Sequence, residues 1–78
     1  MSVSANALDA RLLGVIRDNR EKVLGWMNDE PGSWGFLAGQ AVLACREQKG
    51  EALTDPERRM VWHRMWQLLA DLKQRATE

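Results

Sequence analysis

The chain has 78 residues, of which 45% are hydrophobic and 28% are charged, and its 11 basic and 11 acidic residues cancel. A chain of this length buries roughly 60% of its unfolded surface, which leaves room for one small core. The composition excludes disorder, which needs low hydrophobicity or a high net charge. The balanced charge also argues against nucleic acid or an anionic membrane as the partner.

Cysteine usage and hydropathy predict a cytoplasmic protein. The single cysteine, Cys45, cannot form an internal disulfide and suits a reducing compartment. The longest apolar-rich run, residues 34–45, is too short to span a membrane, and neither its position nor its flanks fit a signal peptide. We therefore expect one domain over residues 1–78, with short disordered ends at 1–4 and 77–78.

Two turn-rich clusters divide the sequence into three segments. Residues 28–33 contain Asn, Asp, Pro and Gly in a run that few helices would survive. Gly50 is a natural helix stop, and Thr54 with Glu57 has the spacing of a capping box at the start of the next helix. The short connections predict an all-α fold, a three-helix antiparallel bundle with helices over about 6–28, 34–49 and 55–76.

The first segment has the periodicity of an amphipathic helix. At 100° per residue, its apolar side chains fall within an arc of about 120°. They are Leu8, Leu12, Val15, Ile16, Val23, Trp26 and Met27. Asn19 interrupts this stripe near its middle. We interpret Asn19 as a buried amide bonded to a neighbour or to water, and a register-setting polar residue in a helical pair is the alternative.

The middle segment carries apolar side chains on two sides. One broad face is rich in small residues and consists of Trp34, Leu37, Ala38, Ala41, Ala44 and Cys45. On roughly the opposite side, Phe36 and Leu43 form a second patch, with Gly39, Gln40 and Glu47 beside it. In a three-helix protein one side of every helix normally faces water, so this second patch predicts a protein interface.

The third segment has the clearest apolar face. That face is predicted to join the core and consists of Val61, Trp62, Met65, Trp66, Leu68, Leu69 and Leu72. The chain holds 4 tryptophans, and the other two, Trp26 and Trp34, bracket the first turn-rich cluster. We interpret the indole rings as filling a core too small to be closed by aliphatic side chains, and an aromatic anchor for a partner is the alternative.

No catalytic, metal-binding or cofactor-binding pattern is present in the sequence. A structural zinc site needs four ligands at defined spacing, and the chain offers only Cys45 and His63 outside its carboxylates, unless two chains share a site. Cys45 lies among alanines, apart from His63, which predicts an inert buried thiol rather than a nucleophile. We expect no enzymatic activity, no cofactor and no small-molecule substrate.

Two functions remain compatible with the sequence. The favoured one is a small non-catalytic interaction module that forms a homodimer through the second patch of the middle segment, or docks there on a larger protein. The alternative is a nucleic-acid-binding regulator that uses the third helix. A helix-turn-helix needs a tighter turn than residues 50–54 provide, which argues against the alternative.

Overall fold

A computed structural model of the chain describes residues 5–76, which form four helices and the turns between them. The helices are α1 (Ala5–Asp18), α2 (Arg20–Met27), α3 (Ser33–Lys49) and α4 (Asp55–Ala76). No strand occurs in this part of the chain, so the predicted all-α class is confirmed, while the predicted count of three helices is wrong by one. The predicted disordered ends at 1–4 and 77–78 lie outside the described residues.

The fourth helix arises because the predicted first helix, 6–28, is interrupted at Asn19. The backbone of Asn19 leaves the helical conformation, with φ −129° and ψ 46°. Its side-chain Nδ2 donates a hydrogen bond to the carbonyl oxygen of Val15 at 2.8 Å. Such bonds offer the backbone an alternative to regular helical pairing. The half-buried amide is bonded to a neighbour, as predicted, and it also marks the junction of α1 and α2.

The predicted stop and start signals around the last turn are both confirmed. Gly50 ends α3 with φ 83°, a left-handed conformation that glycine adopts without steric cost. The backbone N–H of Thr54 donates to Oε1 of Glu57 at 2.9 Å, and the N–H of Glu57 donates to Oγ1 of Thr54 at 3.3 Å. This reciprocal pair is a capping box at the start of α4.

Helix α3 lies at the centre of the fold and contacts each of the other helices. Its buried side is made mainly of small residues, as predicted, which lets neighbouring helices approach closely. The core residues are Leu12, Val15 and Ile16 of α1, Val23 of α2, Leu37, Ala41 and Cys45 of α3, and Val61, Met65 and Leu69 of α4. Because this side of α3 is fully occupied, the opposite side of the helix is turned outward.

The four tryptophans divide into two pairs. Trp26 and Trp34 are half-buried and pack against the core. Trp62 is 40% exposed and Trp66 is 51% exposed, so the prediction that both belong to the core face is wrong. The buried row of α4 consists of Val61, Met65 and Leu69. Trp62 and Trp66 each follow a residue of this row in the sequence and therefore lie about 100° further round the helix.

Candidate protein interface

The side of α3 that points away from the core carries the five residues predicted as an interface. We call Phe36, Gly39, Gln40, Leu43 and Glu47 the outer α3 face. Phe36 is 40% exposed and Leu43 is 44% exposed, while Gly39 and Glu47 are exposed and Gln40 is half-buried. The helix thus brings all five to one side and leaves the two apolar side chains in contact with solvent.

Two further residues share this side of the helix and were not assigned to the interface from the sequence. Gly35 and Arg46 are both exposed, and at 100° per residue they lie within about 40° of Gly39. A Cβ atom added at Gly35 or Gly39 would meet no other atom within 4 Å, apart from the adjacent backbone. The centre of the outward side is therefore a strip of bare backbone. The Gly35 to Gly39 spacing was the signal that could have identified it.

Phe36 lies beside a basic hollow where α1 gives way to α2. The ammonium of Lys22 stands 5.1 Å from the centre of the Phe36 ring, a cation–π contact worth about 0.5–1 kcal/mol at an exposed site. The hollow has a volume of about 400 Å³ and is lined by Arg17, Asp18, Asn19, Arg20, Glu21, Lys22 and Phe36. Phe36 is thus partly covered by its own chain, and no such contact covers Leu43 among the described residues.

An aromatic groove runs along the other edge of the outer α3 face, between α3 and α4. It has a volume of about 420 Å³ and is lined by Trp34, Gly35, Ala38, Gly39, Val42, Arg58 and Trp62. Both glycines of the bare strip form part of its wall. Leu43 and the indole ring of Trp62 therefore lie on opposite sides of this strip.

Exposure of apolar side chains does not by itself single out this surface. Leu24 is 59% exposed, Met60 is 58% exposed and Leu13 is 46% exposed, each on another helix. Scattered exposed apolar residues are normal in soluble proteins. What distinguishes the outer α3 face is that its two apolar side chains lie along one edge of a strip of open backbone.

Three of the four arginines of α4 are paired within the chain, while Arg59 is exposed and makes no ion pair within the described residues. Arg64 donates to both carboxylate oxygens of Asp9 at 2.7 Å, and Asp71 pairs with Arg75 at 3.1 Å. The Arg64 guanidinium lowers the pKa of Asp9 through this hydrogen bond. Asp55 pairs with Arg58 one turn along the helix. These three arginines thus add little free positive charge to the surface.

The charged groups at the two ends of α3 are different. Asp29 and Glu30 lie in the turn before the helix, and Arg46 and Glu47 lie near its end. Within the described residues none of these four makes an ion pair, whereas Lys49 in the last turn binds Glu57 at 2.6 Å. The turn before α3 therefore carries two unpaired acidic groups, and the end of the helix carries an unpaired guanidinium next to an unpaired carboxylate.

The residues with catalytic or metal-binding chemistry do not come together. Cys45 is buried, and its burial raises the pKa of the thiol, although the nearby Arg11 guanidinium opposes the shift. His63 is exposed on α4. Within residues 5–76, no group of three or more His, Cys, Asp and Glu side chains is placed to hold a metal ion. None of the described helices combines the length and the apolar character needed to cross a membrane.

Comparison with known proteins gives no family for this chain. No protein-family model matches it, and neither does any curated protein or solved structure. Any proposal for its function therefore rests on the residues of this chain and their arrangement.

Proposed function

We propose that the protein is a small non-catalytic interaction module that self-associates as a homodimer through the outer α3 face. The observation that carries this proposal is the pair of exposed apolar side chains, Phe36 and Leu43, beside the open backbone at Gly39. Burial of these groups against a second copy removes apolar surface from water, which stabilises the pair by roughly 25 cal/mol for each Å² buried.

A second copy is proposed as the partner because the outer α3 face can cover itself, with the exposed Leu43 beside the bare backbone at Gly39. Two copies related by a two-fold axis present the same patch to each other. A chain with a small core also gains stability from association.

The test is the mass in solution of the wild type and of Leu43→Lys, measured by light scattering over a range of concentrations. We expect a wild-type dimer and a Leu43→Lys monomer that keeps its helical circular dichroism, because an ammonium at the interface has no partner there. Leu13→Lys is the matched control, since Leu13 is similarly exposed but lies on α1. A wild type that stays monomeric at high concentration contradicts the proposal, as does equal weakening by both variants.

The alternative, a nucleic-acid-binding regulator that uses α4, is not favoured by the charges on that helix. Arg58, Arg64 and Arg75 each pair with a carboxylate of the same chain. Lys73 stands 5.5 Å from the centre of the Trp26 ring. Affinity for nucleic acid depends on cations free to neutralise phosphates and falls steeply with salt. A dimer held by apolar contacts should be far less sensitive to salt, which separates the two functions experimentally.

A further inference from the structure

One end of the outer α3 face is covered by a charged group of the same chain. The ammonium of Lys22 in α2 stands 5.1 Å from the centre of the Phe36 ring, and both residues line the hollow at the junction of α1 and α2. Two carboxylates line the same hollow, those of Asp18 and Glu21. Within the described residues Lys22 makes an ion pair with neither of them, and Asp18 pairs with Arg17 instead. The ammonium is therefore held over the aromatic ring rather than by a carboxylate.

The two apolar side chains of the outer α3 face thus differ in what a partner must do to cover them. Leu43 is exposed, and no cation lies over it in the part of the chain that the structure describes. Phe36 becomes buried only if the Lys22 ammonium leaves the ring or is buried together with it.

Both routes weaken association. A lysine ammonium is strongly hydrated, so its burial without a partner is unfavourable. Its flexible stem lets the ammonium turn back to water instead, but the cation–π contact with Phe36 is then lost. A contact that is present in the free chain and absent from the dimer lowers the dimer affinity by as much as it stabilises the free chain.

We infer that Lys22 is an autoinhibitory residue of the outer α3 face, whose contact with the Phe36 ring is given up when a second copy covers that ring. The inference rests on the proposed function, because it concerns the regulation of the same face. In a two-fold dimer each copy buries one Phe36 ring, so two such contacts are lost for every dimer formed.

The test is Lys22→Gln, which removes the charge and keeps a long side chain that favours a helix. We expect dimer affinity, measured by analytical ultracentrifugation, to rise about 5- to 30-fold, because two cation–π contacts no longer have to be lost. The melting temperature of the dilute monomer should fall by about 2–8 °C, because the free chain loses the same contact. Lys22→Arg keeps a cation over the ring and should leave both quantities close to their wild-type values.

Two controls separate the contact with the ring from the general effect of charge. Arg20 lines the same hollow, is exposed and makes no ion pair within the described residues. Arg20→Gln should therefore change dimer affinity by less than about twofold. Phe36→Leu keeps an apolar side chain on the face and removes the ring. In that background Lys22→Gln should also change affinity by less than about twofold, because the two residues act through one contact.

The outcomes separate this inference from the proposed function. If Leu43→Lys dissociates a wild-type dimer while Lys22→Gln leaves affinity unchanged or lowers it, the autoinhibitory role is wrong and self-association through the outer α3 face stands. An equal gain from Arg20→Gln, or a gain that persists in the Phe36→Leu background, also overturns the autoinhibitory role, because repulsion between like charges on the two copies then explains it. If neither the wild type nor Lys22→Gln dimerises at any concentration, both proposals are overturned.

Discussion

The solvent-facing sides of α3 and α4 differ in how far their charged groups and backbone are paired or covered by the rest of the chain. On α4, Arg58, Arg64 and Arg75 are paired with carboxylates, even though Trp66 on that side is more exposed than Phe36 or Leu43. On α3, Arg46 and Glu47 make no ion pair within the described residues, and two glycines leave bare backbone on the outward side. Open backbone beside exposed apolar side chains therefore sets the outer α3 face apart better than apolar exposure alone does.

The largest expected effect compares the same substitution on the two helices. Leu69 of α4 is fully buried, so Leu69→Ala should lower the free energy of unfolding by about 2–5 kcal/mol. Leu43 of α3 is exposed, and Leu43→Ala should change it by less than about 0.5 kcal/mol in dilute monomer. Urea unfolding at low protein concentration measures both values. Similar losses from the two variants would place Leu43 in the core.

The second prediction compares a glycine inside the packing with one on the outward side of α3. A Cβ atom at Gly25 would lie 2.6 Å from Oγ of the buried Ser33 and 2.6 Å from Oε2 of Glu30, so something must move. Gly25→Ala should destabilise the fold by about 1–3 kcal/mol. Gly35→Ala should instead stabilise the monomer by about 0.4–1 kcal/mol. Thermal melts of the dilute variants give the sign in each case, and a loss from Gly35→Ala would mean that its site is not open.

The third prediction concerns the start of α4. Thr54→Ala removes the hydroxyl that accepts the Glu57 N–H and should cost about 1 kcal/mol of stability. Thr54→Ser keeps the hydroxyl and should cost very little. Denaturant unfolding of the two variants compares them directly. Equal losses from the two variants would show that the Thr54 hydroxyl does not stabilise the start of α4.

The smallest effect is a pH dependence that arises at the same capping box. Hydrogen bonds from Lys49 and from Thr54 lower the pKa of Glu57 from 4.5 to about 2. Because the folded pKa lies below the unfolded one, the carboxylate stabilises the fold above about pH 4.5, and this contribution is lost as pH falls towards about 2. Melting temperatures across this window should fall less steeply in Glu57→Gln than in the wild type. Glu51→Gln is the control and should retain the wild-type slope.

The sequence predicted the parts of the fold that depend on local chemistry. The Gly50 stop and the capping box involve residues close in the chain, and the small-residue face of α3 follows directly from its 100° periodicity. The break at Asn19 was missed because the apolar stripe continues on both sides of it. Periodicity gives no sign of the hydrogen bond that the Asn19 side-chain Nδ2 donates to the carbonyl oxygen of Val15. The stripe correctly predicted which residues of α1 and α2 face the core.

The tryptophans of α4 show where periodicity fails. It places Trp62 and Trp66 on a broad apolar face, but the width of the core covers only the row through Val61, Met65 and Leu69. The width of the buried face depends on how α1 and α3 pack against α4. The residue spacing within α4 gives no information about that packing. The outward position of Phe36 and Leu43 was predictable from α3 alone. The small residues of α3 lie on the side that packs against the other helices, so the large side chains on the opposite side face outward.

The most direct test of self-association through the outer α3 face is the solution mass of the wild type as its concentration rises. We predict a rise from the chain mass of 8.9 kDa towards twice that value, and a mass that stays at 8.9 kDa for Leu43→Lys over the same range. A wild-type mass that remains at 8.9 kDa at every concentration would contradict self-association.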